Sequence, residues 1–310
     1  MRRTGTVILC CFLLCGGGVS CKRVEKEITV ITREKGSGTR EAFDRVVTDG
    51  RGNFLEMKIN GKKVYKTTLK ASELTKTSFV TSSVATDKNA IGYVSLGSVD
   101  DSVKVLDIGG VAPTVETVTS GAYGLQRPFV IMTNTNVTFT ERAADFLSYL
   151  YSAEAEEHAE ATGYVFLSDP VKRAGDGGEP IGVQTYERKA SLPDGDKIVI
   201  RGSTSVEKFI NAAAKGYAEG YGAKPTTLFD IQLEGSSVGR KAVEGDTQGN
   251  VIGISSAAVR QEGIRSFNVC LDAVAVIVNK ANPIGDLTVF QLYDIYSGRI
   301  SKFRLLEEHV

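Results

Sequence analysis

The sequence predicts an α/β protein of two domains, and three observations support this. The length of 310 residues suits about two ordinary domains. Short β-branched apolar runs, typical of strands covered on both faces, alternate with segments of helical periodicity. Several of these runs end in a loop of glycine and hydroxyl residues that opens the next helix. In an open α/β sheet such loops meet in one crevice, where ligands bind.

The composition excludes several classes of protein. With 42% hydrophobic and 24% charged residues, the chain is typical of a globular protein, neither disordered nor membrane-spanning. Lysine plus arginine equals aspartate plus glutamate at 37 each, so no global basic field favours nucleic acid. The two histidines offer little material for a metal site or a histidine-driven catalytic centre. We therefore expect neither a metal nor a cofactor.

Residues 1–21 differ in kind from the rest of the chain. Arg2 and Arg3 precede a short apolar run, which predicts a secretory signal. Its end, Val19-Ser-Cys21, resembles a bacterial lipobox, in which the cysteine is acylated, although Gly18 departs from the aliphatic residue usual there. We expect a signal peptide over 1–21 and an extracytoplasmic protein anchored to the membrane through Cys21. Cys270, inside an apolar run, is expected to be a small buried hydrophobic residue.

The first loop that carries a functional signal follows the apolar run around Val30. Arg33 stands four residues before Ser37, and Gly38 and Thr39 open a helical segment. Hydroxyls, a guanidinium and the unpaired N–H groups of a helix N-terminus together suit a tetrahedral oxyanion. The alternative is that the loop is only a capped turn and Arg33 a surface charge.

The middle of the chain alternates strand and helix signals. Residues 72–85 contain many hydroxyl groups and fit no clear pattern. The other predicted segments are a helix over 40–48, a hairpin or irregular excursion over 50–66 with an Asn60-Gly61 turn, strands over 89–95 and 103–108, an extended segment over 120–132, an amphipathic helix over 141–161 and a linker over 166–197.

Three further strand ends present hydroxyl groups in the second part of the chain. Gly202-Ser-Thr-Ser-Val206 follows a buried strand and precedes a helix over 207–221. Gly235-Ser-Ser-Val-Gly239 repeats this design, and the strand over 250–256 ends in two serines. One such loop is weak evidence, whereas all of them together with Arg33 point to one anion site.

Together these motifs resemble the phosphate-binding protein family of bacterial phosphate ABC importers, which has a two-domain periplasmic-binding-protein fold. The matching segments also include Asp272 to Asn279, Asn282-Pro283 with 287–300, Ile91 to Val94, and Tyr123 to Pro128. The resemblance covers most of the chain after the signal, except 166–197 and parts of 50–85. It implies a binding protein and no enzyme activity.

The order of the motifs differs from that of the family. There the Gly-Ser-Thr-Ser-like loop comes first and the Arg-(x3)-Ser-Gly-Thr loop follows later, so this chain is predicted to be circularly permuted. Permutation is tolerated where termini fall in exposed connections. The predicted domains are 22–126 plus 283–310, carrying the Arg33 loop, and 127–282, containing the linker.

The resemblance also implies site residues and partners. One wall would consist of Arg33, Ser37, Gly38 and Thr39. The other would consist of Thr204 through its hydroxyl, Ser205 through its N–H group, Ser236 and Ser256. Some relatives have aspartate where Ser256 stands, so rejection of sulfate would be less assured here. The implied partners are inorganic phosphate, an importer permease and a membrane reached through the lipid anchor, with no nucleic acid and a monomeric state.

Three alternatives remain open at this point. The ligand could be sulfate, molybdate or tungstate, or the chain could be a sensor that has lost transport coupling. Gly235-Ser-Ser-Val-Gly239 also matches the G-x-S-x-G motif of serine hydrolases, which would make Ser237 a nucleophile. Against the hydrolase stands the position of His309, the only downstream histidine, next to the C-terminus.

Overall fold

The computed structural model describes residues 26–167 and 185–306. The predicted signal peptide, Cys21 and His309 therefore lie outside the described residues. Within these ranges the strands are β1 (Thr29–Arg33), β2 (Glu56–Ile59), β3 (Lys62–Tyr65), β4 (Ser72–Leu74), β5 (Ala90–Ser95), β6 (Val103–Val105), β7 (Asp107–Ile108), β8 (Gln126–Asn134), β9 (Val165–Phe166), β10 (Ile198–Gly202), β11 (Phe229–Leu233), β12 (Val251–Ser255), β13 (Ile264–Asn279) and β14 (Asp286–Leu287).

Helices cover the strands. The α-helices of the described ranges are α1 (Gly38–Val46), α2 (Thr77–Thr86), α3 (Val115–Thr119), α4 (Glu141–Tyr149), α5 (Ala153–Ala161), α6 (Glu207–Gly220), α7 (Pro225–Leu228), α8 (Ser236–Glu244) and α9 (Val289–Tyr296). In the described part of the chain, none is long and apolar enough to cross a membrane.

One continuous mixed sheet joins the two parts of the molecule. Its path is β11-β10-β12-β8-β13-β5-β1-β4, with β6 and β9 added beside β13. β13 serves both parts, because residues 264–273 pair with β8 and residues 274–278 pair with β5. We call residues 26–126 with 274–306 the first lobe, and residues 127–273 the second lobe.

Each lobe has its own apolar core. In the first lobe Phe43 stacks on Tyr93, with ring centroids 4.0 Å apart, and both rings pack against Tyr296. In the second lobe Phe146 packs edge-on against Tyr217 and Phe229. Val276 and Val278 belong to the first core, so the chain changes lobe inside β13, before residue 283.

The two ends of the described chain meet in the first lobe. The Ile28 N–H donates to the Ser301 carbonyl at 2.8 Å, which ties the residue before β1 to the segment after α9. β10, β11 and β12 all lie in the second lobe. The described part of the chain thus starts in the first lobe, passes through the second and returns to the first.

Two local predictions have clear outcomes. The Asn60-Gly61 hairpin turn is confirmed, since both residues have positive φ, 51° and 75°, between the paired strands β2 and β3. The single helix predicted over 141–161 is wrong. Ser152 caps a second helix by accepting from the Ala155 N–H, and the ring of Tyr151 packs on Phe267 at 4.6 Å.

The predicted linker is structured where the chain is described. Phe166 belongs to β9 and pairs with Cys270 of β13. Tyr186 donates to the Asp145 carboxylate at 2.6 Å and packs against the core of the second lobe. Cys270 is buried as predicted, and burial raises the pKa of its thiol. The hydrogen bond and the apolar contacts of Tyr186 thus hold its part of the predicted linker to the second lobe.

Candidate functional site

The hydroxyl-bearing loops meet because their strands run in the same direction. β10 is parallel to β11 and β12, so the loops that follow these strands lie at one edge of the second lobe. β1 is likewise parallel to β4, which brings Arg33 beside the start of α2. The edges of the two lobes face each other. Residues 33–39 therefore lie against residues 204–205, 236–237 and 256.

Arg33 occupies the centre of this contact and is almost fully buried, with 2% of its surface exposed. Its Nη2 donates to the Thr204 hydroxyl of the second lobe at 3.2 Å. Its Nη1 donates to the Thr77 hydroxyl at 3.2 Å, and Thr77 contacts Thr204 at 3.1 Å. The Glu34 carboxylate accepts from Nε and Nη2 at 2.9 and 3.0 Å. A buried, forked cation thus points across the interface between the lobes.

The loop after Arg33 forms the first lobe's side of this interface. Ser37 caps α1 by accepting from the Arg40 N–H. The Thr39 hydroxyl lies 2.7 Å from the Ser205 hydroxyl in the second lobe. Gly38 lies so close to the second lobe that an added Cβ would be 2.4 Å from Ser256 Oγ. The start of α1 therefore rests directly on the facing loops.

Three serines of the second lobe form a connected cluster. Ser203 donates to Ser256 Oγ at 2.9 Å, and Ser236 Oγ lies 3.2 Å from the same atom. The Ser236 hydroxyl also accepts from the Ser256 N–H at 3.1 Å. All three residues are buried. The Ser205 N–H group, which the sequence analysis expected to donate to the ligand, donates to the Ser203 hydroxyl of its own loop at 3.2 Å.

The comparisons with known proteins agree with this architecture. A family model described as the PBP superfamily domain matches residues 22–154 and 187–304. The chain is also 33% identical over 281 residues to "Phosphate-binding protein PstS 2" of Streptococcus agalactiae, which covers 89% of this chain and 86% of the relative. The chain belongs to the phosphate-binding protein family of the PBP superfamily.

Further relatives support the assignment to this family. "Phosphate-binding protein PstS 2" of Streptococcus pneumoniae is 32% identical over 277 residues, covering 88% of this chain and 86% of the relative. A crystal structure of a phosphate-binding protein of a phosphate ABC transporter from S. pneumoniae has a TM-score of 0.65 and 31% identity, covering 90% of this chain and 99% of that one. The predicted two-domain periplasmic-binding-protein fold is thereby confirmed; the circular permutation stays a prediction.

Three residues at the interface between the lobes of this phosphate-binding protein were missed by the sequence analysis. Thr77 follows β4, a three-residue strand too short to show periodicity among the hydroxyl groups of 72–85. Ser203 lay within a recognised loop but was not singled out. Glu34 was given no role in the sequence analysis, yet it holds Arg33 through two contacts. The parallel pairing of β4 with β1, which brings Thr77 to Arg33, has no local signature in the sequence.

The motif around Ser237 has the predicted local structure. It lies between β11 and α8, and Gly235 has φ of 132°, a conformation that favours glycine. His158, the histidine within the described ranges, is 2.8 Å from the Tyr149 hydroxyl in the second lobe. The curated relatives that match the chain are named phosphate-binding proteins.

A buried ion pair supports the loop of Arg33 from behind. The Arg40 Nη1 donates to the Arg33 carbonyl at 2.8 Å, and its Nε donates to Asp44 at 3.2 Å. The other carboxylate oxygen of Asp44 is buried without a hydrogen-bond partner in the described structure. Burial outweighs the attraction of Arg40 and raises the pKa of Asp44 from 3.8 to about 7.

This raised pKa predicts a pH effect on stability. The folded chain holds the Asp44 proton more tightly than the unfolded chain. The protonated carboxyl therefore contributes to the free energy of unfolding, and this contribution is fully present below the unfolded pKa and is lost as pH rises through about 7. Between pH 5 and pH 8 the contribution should fall by about 2 to 3 kcal/mol. We expect Asp44→Asn to reduce the stability difference between these pH values by that amount in denaturant unfolding. An unchanged difference would contradict the assignment.

Proposed function

We propose that this chain is an extracytoplasmic solute-binding lipoprotein that captures inorganic phosphate for an ABC importer. The single observation that carries the proposal is the buried Arg33 guanidinium, which reaches Thr204 across the interface between the lobes. The names of the relatives support phosphate as the ligand, and the crystal structure from S. pneumoniae supports a transporter as the partner.

The proposed ligand contacts come from both lobes. Arg33, Ser37, Gly38 and Thr39 supply a guanidinium, hydroxyls and the N–H groups that begin α1. The second lobe supplies Thr204, Ser205, Ser236 and Ser256, and α8 begins at Ser236. Helix N-termini attract anions because their first N–H groups lack partners within the helix. Ligand oxygens would replace the direct contacts that now join the lobes, such as that of Thr39 with Ser205.

The ligand can be identified by calorimetric titration with phosphate, sulfate, molybdate and tungstate. We expect tight binding of phosphate, and weaker but measurable binding of sulfate. The Ser256 hydroxyl can donate as well as accept, so it need not repel an oxyanion that lacks a proton. Tight sulfate binding without phosphate binding would move the proposal to the other oxyanions, and Ser256→Asp would test the cause.

We further propose that the chain is circularly permuted, with domains near residues 22–126 plus 274–310 and 127–273, so that the second boundary lies inside β13 and not at the predicted 282–283. The hydrogen bond between Ile28 and Ser301 supports this, because it places the described ends together. The pairing of β13 supports a change of lobe at residues 273–274. A chain that begins at residue 185, passes from 306 to 28 and ends at 167 should keep the fold and bind phosphate. Failure to fold would count against the permutation.

The lipid anchor is proposed from the sequence alone, since Cys21 lies outside the described residues. Acylation of Cys21 would hold the binding protein at the membrane, near an importer permease. Metabolic labelling with a fatty acid and fractionation of the cells test this. Cys21→Ala should abolish both the label and membrane retention. Retention of a labelled Cys21→Ala protein would refute the anchor.

Two other functions can be separated by experiment. A sensor would bind phosphate, but deletion of its gene would leave uptake of labelled phosphate unchanged. A serine hydrolase would cleave simple esters and lose that activity on Ser237→Ala. We expect uptake to fall on deletion and ester cleavage to stay at the background rate, as a binding protein without enzyme activity requires.

A further inference from the structure

A basic recess opens between the lobes, beside the buried loops. Its volume is about 720 Å³. Arg45, Lys58 and Lys63 line it from the first lobe, and Arg240 and Arg260 line it from the second. Glu41 is the carboxylate among the lining residues. Because the whole chain has a formal net charge of zero, this concentration of cations is local.

Carboxylates balance only part of this charge. Glu41 contacts Arg45 and lies 3.7 Å from the Lys63 ammonium. Glu56 reaches Lys63 at 3.2 Å and Arg45 at 3.6 Å. Arg240 is different, because its Nε is buried and has no hydrogen-bond partner among the described residues. The ion pairs of Glu41 and Glu56 thus involve Arg45 and Lys63, whereas Lys58 and Arg240 also line the recess.

The recess and the buried loops share the same two pieces of chain. Gly36 lines the recess, while Gly38, two residues later, contacts Ser236 and Ser256. Ser237 lines the recess, while its neighbour Ser236 belongs to the buried serine cluster. A Cβ added to Gly36 would be 3.0 Å from Ser237 Oγ, so these loops touch and lie between the recess and the buried serine cluster. If the lobes part here, the recess opens onto the serine cluster.

We propose that the basic recess is an outer anion site, at which phosphate is held before the lobes close over it. This inference rests on the proposed function and adds a binding step outside the buried loops. A cleft lined by one sign of charge raises the local concentration of an oppositely charged ligand and its association rate. Arg240 lies one helical turn after Ser237 on α8, so it can hold an anion directly beside the contact between Gly36 and Ser237.

The outer site should act on the association rate, and on the affinity only through that rate. Lys58 is exposed and Arg240 is half-buried, so salt should screen their attraction for phosphate. The buried contacts of Arg33 and the hydroxyl loops do not involve Lys58 or Arg240. Removing the outer charges should therefore slow association and leave dissociation unchanged.

The test compares two double variants that lose the same net charge. One is Lys58→Gln with Arg240→Gln. The control is Lys215→Gln with Lys224→Gln, which changes exposed lysines on and after α6, at the other edge of the second lobe. Association of radiolabelled phosphate is followed by rapid filtration, and dissociation by a chase with unlabelled phosphate. Both are measured at low and at high ionic strength.

We expect the recess variant to bind phosphate about three- to tenfold more slowly at low salt, with an unchanged dissociation rate. The difference should vanish at high salt, and the control should match the wild-type protein. Equal association rates for the recess variant and the wild type would overturn the proposal, as would equal slowing in the control. If the wild-type protein binds no labelled phosphate, the proposed function fails first, and that result is distinguishable from either outcome.

Discussion

Replacing Arg33 with alanine is expected to weaken phosphate binding by about 2 to 5 kcal/mol, because truncating one partner of a buried charged hydrogen bond has a cost of this size. This corresponds to a loss of about 30-fold to several thousandfold in affinity. The Glu34 carboxylate, now bound to the guanidinium, would remain beside the anion and repel it. Both effects act in the same direction, so this substitution should affect binding strongly.

The matched comparison for Arg33→Ala is Ser236→Ala. It removes one neutral hydroxyl from the same interface, and a neutral hydrogen bond contributes about 0.5 to 1.5 kcal/mol. Arg33→Lys keeps the charge but loses the fork that reaches both Thr77 and Thr204, so we expect an intermediate loss. Calorimetric titration measures all three affinities, and thermal unfolding shows whether each variant is folded. Equal losses for Arg33→Ala and Ser236→Ala would contradict the charge argument.

Gly38→Ala should reduce affinity by about 3 kcal/mol or more, since it would break the contacts of one lobe with the ligand, each worth about 0.5 to 3 kcal/mol. The added Cβ would be 2.4 Å from Ser256 Oγ, 2.7 Å from Ser236 Oγ and 2.8 Å from a backbone atom of Ser256. A backbone atom cannot rotate away as a side chain can. The lobes would therefore have to stay apart.

The predicted signature of Gly38→Ala separates closure from folding. Gly38 begins α1, where alanine favours the helix over glycine by up to about 1 kcal/mol, so the separated form should unfold at no lower temperature. Gly285→Ala is the control, because a Cβ there has no neighbour within 4 Å. X-ray scattering should show compaction on adding phosphate in the wild type and in Gly285→Ala, and none in Gly38→Ala. Wild-type affinity in Gly38→Ala would refute the close approach.

Local sequence signals identified most of the secondary structure and several loops of the interface. The strand before Arg33, the Ser37 cap and the Asn60-Gly61 turn were predictable because each depends on residues close in sequence. The long helix predicted over 141–161 failed because apolar spacing continues through Ser152, whose cap begins a new helix. Thr77 was missed because β4, the strand before it, is short, and because its role depends on the pairing of β4 with β1.

The fold class, the family and the kinds of group that the loops carry could all be predicted from the sequence, since β-branched runs, glycine turns and hydroxyl caps act over a few residues. Which of these groups meet depends on the tertiary structure. Parallel pairing of β4 with β1 sets Thr77 beside Arg33, and contact between the lobes brings Thr204 to the same guanidinium. These contacts join residues 44 and 171 positions apart. The direction of the strands and the packing of the lobes create these contacts, and neither produces a periodic pattern in the sequence.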